Sequence, residues 1–147
     1  MKSENSALRV TVQNLQRKIR VNAPRLQRFA QKAAELCLRL QLKRSSDLEK
    51  LHDVSVLIVS DRRMAALHRR FMNQAGPTDV LTFEHGEIFV SADTATRNAV
   101  QFGNQLSAEL RLYIVHGLLH LHGFDDRDPA NARKMRTAER TFLRKLR

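Results

Sequence analysis

Hydrophobic residues recur along this chain with two different periods. Near the N-terminus apolar and polar residues alternate, and later stretches rich in β-branched and aromatic residues follow; both patterns predict strands. Elsewhere apolar residues recur every three or four positions, which predicts amphipathic helices. The predicted elements are strand 7–14, helix 24–42, strand 53–60, a helix from about 60 to 72, strands 79–83 and 87–91, and helices 92–102, 107–122 and 128–145.

The order of these elements predicts the fold class. Strands come early and helices late, which is typical of an α+β fold with a small mixed sheet of about four strands packed by helices. Strands 79–83 and 87–91 are separated by three residues and predict a hairpin. The chain has 147 residues, the size of one ordinary domain, and no shift in composition, so we expect a single domain over residues 1–147.

Net charge narrows the range of partners. Lys and Arg total 26 against 15 acidic residues, which gives a formal charge of +11 at pH 7. On a small chain such a charge favours a polyanionic partner, most often nucleic acid. The alternatives are an anionic membrane surface, an acidic protein, or a charge that only maintains solubility.

Composition also predicts the compartment. No stretch approaches the ~18 apolar residues that span a bilayer, and the N-terminus lacks the apolar segment of a signal peptide. Cys37 is the single cysteine, so it cannot form an internal disulfide, as expected in a reducing compartment. We therefore expect a cytoplasmic protein.

HGLLHLHGFDD, residues 116–126, is the segment richest in chemistry. Within one helix, His116 and His120 lie one turn apart on the same face and form half of a zinc site. His122 lies roughly 160° from the midpoint of that pair, so we expect a surface residue or a partner of the ligands. Gly123 ends the helix, and one of the two aspartates that follow could return as a third ligand.

Three protein ligands predict an open, catalytic metal site. They leave one position for water, whose pKa a zinc ion lowers toward neutrality. The alternatives are a histidine pair without metal and, for Asp125 and Asp126, a polar turn before the last helix. Gly117 stands where a His-Glu-x-x-His peptidase has its glutamate base, which disfavours metallopeptidase chemistry.

This motif and three other segments resemble the YbeY family of bacterial rRNA-maturation proteins. HGLLHLHGFDD is similar to the family's usual His-Gly-x-Leu-His-Leu-x-Gly-Tyr-Asp-His, and PTDVLTF (77–83) to its Pro-Thr-Asp-Val-Leu-Ser-Phe. GEIFVS (86–91) resembles its Gly-Asp-Ile strand, and Met135 and Glu139 match its C-terminal helix. The resemblance covers roughly residues 50–145, and the segments in this order are far more specific than any one alone.

The resemblance implies a metal-dependent endoribonuclease of zincin-like fold. It implies one zinc ion per chain, held by His116, His120 and Asp126, the last at a position where the family usually has histidine. It places Asp125 beside that ligand, with a role in orienting ligands or moving protons. The implied substrate is single-stranded RNA, in maturation of the 3′ end of 16S rRNA and in ribosome quality control, with no DNA or membrane partner.

One departure from the family concerns the helix before residue 73. The family usually has an arginine there, facing the metal cleft, where this chain has Met72 after Phe71. An arginine would bind phosphate and stabilise developing charge. Arg69, one turn earlier, is the candidate to replace it, with an ordinary solvated charge as the alternative.

The last predicted helix has a basic side and an apolar side. The basic arc consists of Arg133, Arg136, Arg140 and Arg144, and the opposite side of Met135, Ala138, Phe142 and Leu146. Such an arc contacts phosphates without reading sequence, or is only a solvated face. Arg17, Lys18 and Arg20 add charge elsewhere.

Two functions of different class stay open from the sequence. In the first, a zinc-activated water or a polarised 2′-hydroxyl attacks the phosphodiester of RNA. In the second, the protein binds rRNA or the ribosome without cleaving it, and the metal is structural. Met72 and Asp126 motivate this second hypothesis.

Overall fold

A four-stranded mixed sheet forms the centre of the computed structural model, which describes residues 7–147. The strands are β1 (Arg9–Asn14), β2 (Asp53–Val59), β3 (Val80–Phe83) and β4 (Glu87–Ser91). The helices are α1 (Ala23–Leu38), α2 (Asp47–Lys50), α3 (Asp61–Met72), α4 (Ala92–Phe102), α5 (Leu106–Leu121) and α6 (Pro129–Lys145). The strand order is β1-β2-β4-β3, in which β1, β2 and β4 are parallel and β3 is an antiparallel edge strand.

The predicted α+β class, the four-stranded mixed sheet and the β3–β4 hairpin are confirmed. Helix α1 ends at Leu38, earlier than predicted. In the segment that follows, the Leu40 carbonyl oxygen accepts a hydrogen bond from His122 instead of continuing the helix. The pattern missed α2, since one helical turn is too short to show a period. Its capping box, formed by Ser46 and Glu49, is nevertheless a recognisable sequence signature of a helix start.

The two faces of the sheet are covered by different helices. Alternate residues of β2 point to opposite faces, as expected for a strand. Val56 and Ile58 enter the main core with α1 and α5, whereas Val59 enters a smaller core with Met64 of α3. Helix α5 is apolar on most sides because it contacts the sheet, α1, α4 and α6. Within residues 7–147 no helix combines the length and apolar character needed to cross a membrane.

Helix α5 approaches the sheet most closely at Gly117. A Cβ atom at this position would lie 2.6 Å from Cγ2 of Ile88 on β4, and Ile88 is fully buried. This Cγ2 atom is bonded directly to Cβ, so it cannot move aside as the end of a long side chain would. The glycine therefore lets the histidine-bearing half of α5 lie against β4.

Asp61 links the start of α3 to α4. Its Oδ1 accepts hydrogen bonds from Ser91 Oγ at 2.6 Å and Thr94 Oγ1 at 2.7 Å, and its Oδ2 accepts one from Arg97 at 2.6 Å. Partial burial by itself raises the pKa of Asp61, but these hydrogen bonds and the charge of Arg97 outweigh burial, so the pKa is lowered. The ionised carboxylate thus stabilises the contact between the two helices.

Asp61→Asn is expected to lower the free energy of unfolding by about 1.5–3 kcal/mol at neutral pH, the range for hydrogen bonds to a charged group. Because the folded-state pKa lies below the unfolded-state value, this stabilisation is full above the unfolded-state pKa and is lost as the pH falls through the folded-state pKa. Urea denaturation of both proteins across that range measures the difference. Asp53→Asn, an exposed residue with a 3.7 Å ion pair, is the control. A difference that did not shrink in acid would contradict the assignment.

Candidate metal centre

His116 and His120 lie on one face of α5 with their rings turned toward each other. The distance between their Nε2 atoms is 3.1 Å. His116 Nδ1 donates a hydrogen bond to Glu139 Oε2 at 2.8 Å, and His120 Nδ1 donates one to the Phe124 carbonyl oxygen at 3.0 Å. Because both Nδ1 atoms act as donors, the Nε2 atoms direct two lone pairs at the same small space.

The surroundings shift the pKa values of the two imidazoles in opposite directions. Burial by itself lowers the pKa of His116, but the hydrogen bond and negative charge of Glu139 outweigh it, so this pKa is raised. Burial, followed by the charge of His116, lowers the pKa of His120. The two imidazoles therefore resist being positively charged at the same time. A bound cation would relieve the repulsion between the facing lone pairs of the neutral rings.

Asp126 completes a set of three donors. One ligand atom from each of His116, His120 and Asp126 lies within 4.8 Å of the other two, and Asp126 Oδ2 is 4.0 Å from His116 Nε2. Gly123, at φ 101°, turns the chain back toward the end of α5 and so places Asp126 there. Two nitrogens that share one zinc ion at tetrahedral angles lie about 3.3 Å apart, close to the spacing of the imidazoles. Two imidazoles and one carboxylate are a donor set that suits zinc.

The contact between Glu139 and His116 was not predicted from the sequence. Glu139 lies 23 positions from His116, so no local spacing joins them. The side chain is only 8% exposed and shares the apolar side of α6 with Met135 and Phe142. A glutamate spaced four and three residues from these two core residues was the available signal, because a buried carboxylate needs a partner.

His122 takes no part in the metal centre, and the prediction of a surface or ligand-supporting position is wrong. The side chain is fully buried. Its Nδ1 accepts a hydrogen bond from Ser46 Oγ at 2.9 Å, and its Nε2 donates one to the Leu40 carbonyl oxygen at 3.1 Å. The segment between α1 and α2 covers this side of α5, which a pattern within the helix could not show.

The two histidines of the candidate metal centre line a cleft of about 390 Å³. The lining comes from α2, α3, β3, α5 and the segments after β3 and α5: Asp47, Met72, Val80, Leu81, Thr82, Glu84, His116, His120, Leu121 and Arg127. Edge strand β3 therefore forms one side of the cleft and the two histidines another.

The remaining predicted residues differ in whether they border the cleft. Met72 lines the cleft, whereas Arg69 is exposed and is not among the lining residues. Asp125 Oδ1 accepts the backbone N–H of Arg127 at 3.2 Å, within the turn that carries Asp126. Arg127, which the sequence did not single out, lines the cleft and forms no ion pair within residues 7–147.

The packing at Gly117 bears on the peptidase alternative. A His-Glu-x-x-His enzyme needs a glutamate side chain directly after the first histidine. Here a side chain at that position would collide with Ile88 of the sheet. The site thus lacks both the glutamate base and the room for one.

Fold and site together define a zincin-like α+β protein with a candidate metal centre on a buried helix. A family model described as Endoribonuclease YbeY matches residues 11–147. The chain therefore belongs to the YbeY family.

Individual relatives agree with this assignment. Endoribonuclease YbeY from Anaeromyxobacter sp. (strain Fw109-5) is 40% identical over 102 residues, which are 63% of this chain and 53% of the relative. The protein of the same name from Bacteroides thetaiotaomicron is 32% identical over 65% of this chain and 74% of its own length. A solution structure from Thermotoga maritima has a TM-score of 0.63 and 25% identity, over 93% of this chain and 88% of that one. The chain spans about half the length of the Anaeromyxobacter relatives.

Proposed function

We propose that this protein is a metal-dependent endoribonuclease that cleaves single-stranded RNA, with one zinc ion held by His116, His120 and Asp126. The observation that carries the proposal is the pair of Nε2 atoms facing each other at 3.1 Å, each oriented by a hydrogen bond at Nδ1. When bound, a divalent ion polarises a phosphoryl oxygen and acidifies water. Membership in the YbeY family supports RNA as the substrate.

Residues around the ligands keep them in position. Glu139 and the Phe124 carbonyl oxygen hold the histidines in the tautomer with a free Nε2. Asp125 stabilises the turn that carries Asp126, so we assign it as a positioning residue.

Arg127 is the cation best placed to bind a phosphate of the RNA. It lines the same cleft as the two histidines, and no carboxylate among residues 7–147 pairs with it. Met72 also lines this cleft, at the position where the family usually has arginine, and offers no charge. A guanidinium binds two phosphate oxygens at once, so Arg127 can restore the contact that Met72 cannot make.

Arg127→Gln is expected to lower kcat/KM for RNA cleavage by about 10–100-fold, the cost of losing a hydrogen-bonded charge. Arg69→Gln removes the other candidate cation and is expected to have a smaller effect, because Arg69 is not among the cleft residues. Initial cleavage rates over a range of RNA concentrations, with zinc affinity measured in parallel, compare the two. A larger loss in Arg69→Gln would assign the phosphate contact to Arg69 instead.

The surface charge supports a large RNA partner. Arg133, Arg136, Arg140 and Arg144 of α6 are all exposed, whereas Met135 and Phe142 on the opposite side are buried. Such an arc binds phosphates without sequence preference. Because the chain also resembles a family of rRNA-maturation proteins, we extend the proposal to rRNA, in maturation of the 3′ end of 16S rRNA and in ribosome quality control, in the cytoplasm.

Cleavage assays test the proposed activity. Single-stranded RNA is incubated with zinc-loaded protein, chelator-treated protein and protein to which zinc is returned; casein is incubated in parallel. We expect cleavage of RNA only, lost with the chelator and restored by zinc. Because Met72 lines the cleft and offers no charge at a position where the family usually has arginine, the competing hypothesis is an RNA-binding factor with a structural metal. Folded, zinc-loaded protein that binds RNA without cleaving it would favour that hypothesis.

A further inference from the structure

A second pocket, of about 300 Å³, lies at the N-terminal end of α5, beside the start of α1. Three of its lining residues are Arg20, Arg25 and Arg111, and none is acidic. Arg111 is about 140° around α5 from His116, at ~100° per residue, and the metal-site histidines lie in the other half of the helix. The pocket is therefore separate from the metal centre.

Arg111 is partly buried and has no counter-ion in the described part of the chain. Its Nε is buried without a hydrogen-bond partner in the described part of the chain, and its Cζ lies 5.2 Å from the centre of the Phe29 ring, which holds the guanidinium in place. Within residues 7–147, no carboxylate oxygen lies within 4.0 Å of Arg111, Arg20 or Arg25. Burying a charged group without a partner is unfavourable, and an anion in the pocket would offset that cost.

The first turn of α5 adds to the positive potential. Gln105, at the N-cap, makes no side-chain hydrogen bond to this turn. The first N–H groups of a helix have no partner within the helix, and the helix dipole favours an anion beside them. Leu106 and Ser107 both line the pocket, so the start of α5 borders the same space as the three arginines.

The remaining residues indicate what kind of anion fits. Val21, Leu26, Leu106 and Leu110 are apolar, so a ligand with an apolar or aromatic part beside its charge matches better than an inorganic ion. The volume is at the low end for small-molecule sites, which limits the ligand to about one nucleotide. We propose that this pocket binds one phosphate-bearing nucleotide, free or at the end of an RNA strand, with its phosphate at the three arginines. The proposal goes beyond cleavage at the metal centre and does not depend on it.

Calorimetric titration of the zinc-loaded full chain with adenosine 5′-monophosphate tests the proposal. We expect saturable binding, with adenosine at least about 10-fold weaker because it lacks the phosphate. The double variant Arg20→Gln/Arg25→Gln is expected to bind the nucleotide at least about 10-fold more weakly. Both side chains are exposed, so the variant keeps the core intact.

Arg17→Gln/Arg28→Gln is the matched control, since both residues are exposed, lie outside the pocket and remove the same charge. It is expected to bind the nucleotide as the parent does, and so is His120→Ala. RNA strands of one sequence with a 5′-phosphate or a 5′-hydroxyl separate the two ligand sources, and dependence on Arg20 and Arg25 for either supports the site. Unchanged affinity in Arg20→Gln/Arg25→Gln, an equal loss in the control, or loss in His120→Ala would overturn it.

Discussion

His120→Ala is expected to lose zinc binding and RNA cleavage together, each by more than about 100-fold. Loss of a residue that only supports a ligand typically costs 10–100-fold in metal affinity, and loss of a ligand costs more. His120 supplies one of the two Nε2 atoms that face each other, and it belongs to the one group of three possible metal ligands found among residues 7–147. Competition with a chromophoric chelator measures the zinc affinity, and initial rates on single-stranded RNA measure the activity.

Two other histidines provide the controls for that experiment. His52 is exposed, and its side chain lies outside the cleft, so His52→Ala is expected to bind zinc and cleave RNA as the parent does. His122→Ala is expected to reduce thermal stability, because it leaves Ser46 and the Leu40 carbonyl oxygen without a buried partner. Cleavage retained by His120→Ala, with the parent's dependence on zinc, would show that the metal is bound elsewhere.

Glu139→Gln is expected to lower zinc affinity by about 10–100-fold while leaving all three ligands in place. The carboxylate of Glu139 accepts the Nδ1–H of His116 at 2.8 Å and raises the pKa of that imidazole. An uncharged amide keeps the shape and an acceptor but makes Nε2 a weaker donor to the ion. Glu139 therefore acts as a positioning residue, through His116.

Two readouts separate this role from a purely structural one. In metal-free Glu139→Gln, the pKa of His116 followed by NMR should fall, because the charge that raises it is gone. Thermal unfolding of the metal-free variant reports any loss of stability separately. Glu35→Gln changes an exposed glutamate on α1 and is the control for charge. Parent-like zinc affinity together with an unchanged pKa of His116 would remove Glu139 from the site.

Much of the fold was predictable because its elements have strong local patterns. The alternation in β1 and the three-to-four spacing in α1 each reflect one buried face, and burial enforces the period. The features that were not predicted are those that the local hydrophobic pattern does not encode. Helix α2 is a single turn, and the end of α1 depends on a contact with His122 rather than on a residue of α1.

By itself, the sequence determined which residues form one helical face and which turn follows it. His116 and His120 face each other because four residues make about one helical turn, and Gly123 reverses the chain because a positive φ costs glycine little. Only the tertiary structure decided that Glu139 orients His116, that His122 is buried, and that Arg127 rather than Arg69 borders the cleft. These outcomes depend on how α6 and the segments flanking α5 pack against that helix. Such contacts join distant parts of the chain, and no spacing within one element determines them.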